Sequence, residues 1–264
     1  MLKFQVPFFF CSAVFVVALP TSANSGQPVD TGNTVSYTSS KKISVKQHAI
    51  SLVMPVKHKK FVASYLREND EALGIVLRRS ERPFEIMDSV FDHYGLPQEL
   101  KYLAVIESEL NPMALSRVGA RGPWQLMAET AHDLGLKVSR RNDERTNFIK
   151  STRAAALYLR DLHRTFGDWL LVLAAYNSGP RSVLSAIRTT HSHNFWVLQQ
   201  YLPHETRQHV KRFIATAQYF ENITRENSNL AKAGKTLTPQ RIIQQAEFAF
   251  NGTEMMNAVA LGTL

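Results

Sequence analysis

The stretch AVIESELNP, residues 104–112, places two glutamates, Glu107 and Glu109, at the end of an apolar run and follows them with Asn111-Pro112. A carboxyl group can give up or take a proton or act as a nucleophile, so the first question is which acid faces the interior. Each residue of a helix turns by about 100°. With Leu100 as origin, Glu107 falls inside the stripe of Leu100, Leu103, Ala104 and Leu110, whereas Glu109 turns roughly 200° away and shares a face with Tyr102. The two acids cannot act as a facing pair. An apolar surround disfavours the charged form of a carboxyl, and a carboxyl kept protonated is equipped to be a general acid. On this helix alone the ordinary alternative stays open: a buried glutamate satisfied by arginine or backbone donors.

Two further segments carry groups that could serve a polar ligand. LSRVGARGPWQLM, residues 115–127, holds Gly119 and Gly122, which can adopt backbone angles other residues avoid, and Trp124, Gln125 and Met127, which offer a stacking face and an amide. AAYNSGP, residues 174–180, ends an apolar helix with Tyr176 and Asn177 before a Gly179-Pro180 breaker. Each has an ordinary reading by itself: a glycine turn, a core tryptophan, an asparagine at a helix end.

The elements that must position these residues read as helical. Ile86, Val90, Phe91 and Tyr94 recur at helical spacing before Gly95; Ile149, Ala156, Leu159, Leu162 and Phe166 form a second stripe. Asp168 is the expected N-cap of DWLLVLAAYNSG, and Pro203 opens a helix with a stripe of Val210, Phe213, Ile214, Ala217 and Phe220. Alternating strand patterns, internal repeats and metal-ligand spacings are not seen, so the sequence predicts an all-α fold around one core.

With 264 residues, 44% hydrophobic and 20% charged, the chain can bury a full core. Its first residues differ. Lys3, the run FQVPFFFCSAVFVVAL and the small residues Thr21, Ser22 and Ala23 follow the order of a secretory signal peptide over 1–23, cleaved after Ala23. A retained membrane anchor is the competing reading, although the run is shorter than the ~20 residues a span needs. Phe10 before Cys11, where a lipid-modified cysteine needs a small residue, argues against a lipoprotein; Cys11 is the sole cysteine, so the mature chain has neither a thiol nucleophile nor a cysteine metal site. The Ser/Thr/Gly-rich tract after the signal reads as a flexible tether over 24–57. An N-terminal helical extension over 58–95, a catalytic domain over 96–226 and a loosely ordered tail over 227–264, with a possible helix over 239–250, complete the expected organisation. The net charge of +9 suits an anionic partner such as a wall polymer, an anionic lipid surface or nucleic acid. Dispersal of the basic residues among helices argues against nucleic acid.

Taken together and in order, Glu107-Ser108, Gly122-Pro123-Trp124-Gln125 and Ala175-Tyr176-Asn177 resemble the three motifs of the soluble lytic transglycosylase family, lysozyme-like enzymes that cleave peptidoglycan. GLPQEL, GPWQLM, DWLLVLAAYNSG and FWVLQQYLPHET resemble the membrane-bound transglycosylase D type more closely, and the similarity covers roughly residues 58–226. The resemblance implies a goose-type lysozyme-like helical domain with an active-site groove. It implies a lyase that breaks the MurNAc-GlcNAc β-1,4 bond without water and leaves 1,6-anhydromuramic acid ends. Glu107 would be the catalytic acid and then base. Ser116, Gln125, Met127, Tyr176 and Asn177 would contact substrate, and Ser108 and Trp124 would support the site.

Two departures stand out: Ala128 where the family usually has proline, and His209 where tyrosine usually follows the LPHET segment. Both are expected to lie away from the chemistry. Neither a cofactor nor a metal is expected. The expected partner is the glycan strand of peptidoglycan, met in the periplasm or cell envelope. Two rivals remain at this stage: a hydrolase that recruits a second acid such as Glu129, Asp133 or Asp143, and a glycan-binding protein that has lost activity.

Overall fold

A computed structural model describes residues 50–232. The signal segment, most of the tether and the possible helix over 239–250 lie outside the described residues. Within them the all-α class holds: helices pack around one core, and the only extended pairing is three isolated antiparallel bridges, Leu115–Arg121, Arg121–Leu126 and Val138–Asp143. The helices are α1 (Lys59–Arg79), α2 (Glu81–Tyr94), α3 (Lys101–Ser108), α4 (Ala128–Asp133), α5 (Phe148–Phe166), α6 (Trp169–Ser178), α7 (Pro180–Thr190), α8 (Phe195–Leu198) and α9 (His204–Lys232).

The core is organised around α6. Its sequence is apolar on every side, and Leu171 through Ala175 are wholly buried, as a helix hydrophobic all round must be. Helices α5, α7 and α9 pack against it, α3 lies on α9, and α2 lies on α5. Asp168 caps α6 as expected, accepting a hydrogen bond from the Leu171 N–H at 3.0 Å. Pro180 then opens α7 directly after α6, where its missing N–H leaves no donor unpaired. The long helix α9 supplies Val210, Phe213, Ile214, Ala217 and Phe220 to the core, the stripe read from the sequence.

Several boundaries differ from those expectations. Residues 50–57 belong to the folded part: Ile50 is buried, Leu52 and Met54 pack on the core, and Gln218 donates to the Leu52 carbonyl at 2.8 Å. Helix α9 continues past residue 226 to Lys232. Ile149 is 46% exposed although it shares a face with the buried Ala156, seven residues on, because it stands in the first turn of α5, before the buried part of the helix begins at Ser151. Helix α3 ends at Ser108, three residues before Asn111-Pro112. Glu109 and Leu110 both take left-handed backbone angles there, φ 53° and 63°. Their N–H groups close the helix on the Val105 and Ala104 carbonyls.

Candidate active site

The helix end places Glu107 at the last turn of α3, against α9. Its side chain is 6% exposed and is not surrounded by apolar groups alone: Glu107 Oε1 lies 2.9 Å from Nε2 of His209, which is itself 4% exposed. The expectation that His209 stands away from the chemistry is therefore wrong. It was missed because its partner is 102 residues distant and nothing in the local pattern of α9 announces the contact. The other ring nitrogen, Nδ1, is buried with no hydrogen-bond partner among the described residues. A proton there would be a buried donor without an acceptor, which is costly. The tautomer that suits these surroundings carries its proton on Nε2 and donates it to Glu107, leaving Oε2 free.

Glu109 is not part of this arrangement. Its left-handed backbone takes it off the helix, and its half-exposed carboxylate pairs with Arg79 at 3.6 Å, while the same guanidinium also donates to the Glu109 carbonyl.

The Gly-Pro-Trp-Gln loop is fastened to α3 and α6 from both sides. Ser108 Oγ donates to the Pro123 carbonyl at 2.9 Å, and Tyr176 OH donates to the Trp124 carbonyl at 2.7 Å. Burial first, and then the Glu107 charge, push the Tyr176 phenol well above its ordinary value. Tyr158 stands next to it at 5.5 Å between rings. Trp124 is wholly buried, edge-on to Phe91, with Nε1 donating to Thr152 Oγ1 at 3.0 Å. It anchors the loop and presents no stacking face, contrary to the reading of the sequence.

Gln125 adopts φ 46° and uses its amide nitrogen on the Gly122 carbonyl at 2.9 Å. Met127 is half-buried at the N-terminus of α4. Ser116 Oγ accepts from the Ala120 N–H at 2.9 Å, so its hydroxyl proton is free to donate to a ligand. Asn177 is buried, and its Oδ1 accepts from Thr206 of α9 at 2.8 Å. That bond ties α6 to the helix carrying His209. Ala128, the other departure, is the first residue of α4.

A second brace escaped the sequence reading. Arg145, 7% exposed on its side chain, donates to the Gly119 and Leu126 carbonyls at 2.8 and 3.0 Å and grips Asp143 through two nitrogens at 2.9 and 2.8 Å. The guanidinium holds the Asp143 carboxyl below the usual carboxylate range. Asp143, one of three acids a hydrolase might recruit, is thus committed to the loop; Glu129 and Asp133 are exposed on α4. Gly122 sits where this brace comes closest. With φ 82°, a Cβ there would lie 1.9 Å from the Arg145 carbonyl oxygen.

Residues 92–199 match the family described as Transglycosylase SLT domain, a match that stops short of α9 and His209. The chain is 34% identical over 183 residues to membrane-bound lytic murein transglycosylase D of Escherichia coli K12, covering 67% of this chain and 40% of that protein. It is 42% identical over 94 residues to a putative tributyltin chloride resistance protein of Alteromonas, 35% of this chain and 45% of that one. Among solved structures, an inactive mutant of lytic transglycosylase Slt from Pseudomonas aeruginosa aligns with a TM-score of 0.46 at 27% identity, covering 52% of this chain and 24% of that one. The chain thus spans less than half the length of these curated relatives.

Proposed function

We propose, from the match of residues 92–199 to the transglycosylase SLT domain family, that the chain is a peptidoglycan lytic transglycosylase whose acid and base is Glu107. The observation that carries the reading is the Glu107 carboxyl: 6% exposed and held at one oxygen by His209, on a helix whose Ser108 pins the Gly-Pro-Trp-Gln loop.

The chemistry needs one carboxyl used twice. Glu107 gives its proton to the glycosidic oxygen between N-acetylmuramic acid and N-acetylglucosamine, and the C1–O bond breaks. The substrate's acetamido oxygen stabilises C1. The carboxylate left on Glu107, held by the His209 N–H, then removes the proton of the C6 hydroxyl. That oxygen bonds to C1 and closes the 1,6-anhydro ring. The proton returns to Glu107, and no water is consumed. A facing second carboxylate, which ordinary glycosidases require, has no task in this sequence.

His209 is proposed as a positioning residue, fixing one carboxyl oxygen so that the other faces the bond. Ser116 and Met127 are proposed substrate contacts, Ser116 through its free hydroxyl proton. Tyr176, Asn177, Ser108 and Trp124 act by holding the loop and α9 in register, and Gln125 supplies its remaining amide oxygen. The glycan strand of peptidoglycan is the proposed partner and the cell envelope the proposed location. Among the described residues no helix is long and apolar enough to cross a membrane.

The test is Glu107→Gln. Lysis of purified sacculi should be lost while the far-ultraviolet circular dichroism stays helical; an active Glu107→Gln protein overturns the assignment.

A further inference from the structure

A second polar site lies on another face of α9. The 3-10 turn Val56–His58, α8 and α9 enclose a pocket of about 330 Å³ lined by Lys57, His58, Trp196, Arg207 and Lys211, with Gln208 at its wall. Its lining contains three cations and no acid. Glu205, the acid of α9 that precedes Arg207, is engaged with Arg212. The chain before Ile50 offers only one acid, Asp30.

Lys211 is 9% exposed, and its Nζ lies 5.9 Å from the centre of the Phe61 ring. His58 Nε2 and Arg207 Nε are buried without a hydrogen-bond partner. Burial, with Arg207 and Lys57 adding like charge, pulls the Lys211 ammonium below its ordinary value, and burial with Lys211 and Lys57 does the same to His58. Taking a cationic group out of water without an anion is expensive, and an anion beside Lys211 would accept from the unpartnered Arg207 Nε; Gln208 Oε1, at the pocket wall, is a buried acceptor that also lacks a partner. His58 stacks on Trp196 at 5.4 Å, giving the pocket a flat apolar wall beside its charges.

We infer that this pocket binds carboxylate groups of an acidic peptide, with Lys211 and Arg207 as the ion-pairing residues and the Trp196–His58 stack against the peptide's apolar atoms. The choice of a peptide rests on the proposed peptidoglycan substrate, whose stem peptides carry free carboxylates. The presence of an anion site rests on the pocket alone. Gln208 borders the pocket, and His209, the next residue of α9, turns about 100° away to meet Glu107.

The experiment titrates the full chain with a glycan-free, acidic murein stem peptide, its fully amidated counterpart and inorganic phosphate, following the His58 imidazole and Trp196 indole resonances. The expected result is a saturable shift with the acidic peptide and none with the amide. Lys211→Met should weaken binding about tenfold or more, yet raise the melting temperature of the free protein, because it removes an unpaired buried charge. An amidated peptide that binds equally, a response that never saturates, or a Lys211→Met protein that melts lower while still binding overturns the inference. Saturation by phosphate with no response to the peptide overturns the peptide assignment. Because the probe contains no sugar, failure here leaves the Glu107 proposal untouched, and an active Glu107→Gln protein leaves this one untouched.

Discussion

The hydrogen bond between Glu107 and His209 joins two side chains that solvent hardly reaches, so changing the imidazole changes the carboxyl's partner without opening the site. His209→Phe should lower kcat by about a hundredfold, the lower range for a misplaced acid-base group, with little change in KM. His209→Tyr, which restores an O–H donor, should recover more activity than His209→Phe and shift the pH-rate profile relative to the wild type; equal loss in both variants with an unshifted profile would reduce His209 to packing. Glu109→Gln should keep full activity in a sacculus-lysis assay, since Glu109 leaves the helix and faces Arg79. The burial of Glu107 was legible in the sequence because the turn of one helix places it among leucines; its proposed role came from the resemblance of the three motifs. His209 was not, because a contact made by two helices distant in the chain leaves no local period; the only trace was a histidine where the resembling family has tyrosine.

At the level of elements, the site depends on where α3 stops and how the following loop is braced. Three of the four non-glycine residues with positive φ among the described residues, Glu109, Leu110 and Gln125, lie at the end of α3 and in the Gly-Pro-Trp-Gln loop. Such conformations cost about 1–3 kcal/mol each and persist only where surrounding contacts enforce them; here Ser108, Tyr176 and Arg145 provide those contacts. Gly122→Ala should therefore destabilise the protein by about 3 kcal/mol or more, read from chemical denaturation, because a methyl group has no room against the Arg145 carbonyl. Unchanged stability would mean the loop is not clamped as described. The glycines of this loop and the long helices were readable from residue type and period. The end of α3 was not: Asn111-Pro112 is the stronger breaker on paper, but consecutive left-handed residues close the helix first. Helices α4 and α8, six and four residues long, are too short to show a period.

For the molecule as a whole, the sequence conveyed the all-α class and the burial of α6, since an unbroken apolar run of that length has no solvent face to offer. It did not convey that residues 50–57 join the core, which depends on Gln218 of α9, or that Asp143 belongs to a brace, which depends on Arg145 reaching back to the Gly119 and Leu126 carbonyls. The Asp143 brace sets an acid limit on stability. Its carboxyl titrates lower folded than unfolded, so its contribution is complete above the ordinary carboxylate value of ~4 and fades as pH falls through the lowered folded value. Asp143→Asn should cost about 3 kcal/mol at neutral pH, with the gap to the wild type closing as the pH drops below ~4. A gap that persists in acid would place the cost in shape and not in charge.

The most direct measurement of the central claim is the mass of the products released from purified sacculi in water labelled with heavy oxygen. An acid that becomes a base and closes an anhydro ring predicts muropeptides lighter by one water and free of the label, with none released by Glu107→Gln. Reducing muramic acid ends that carry heavy oxygen would contradict the account, and would mean that a water, and not the C6 hydroxyl, attacks C1.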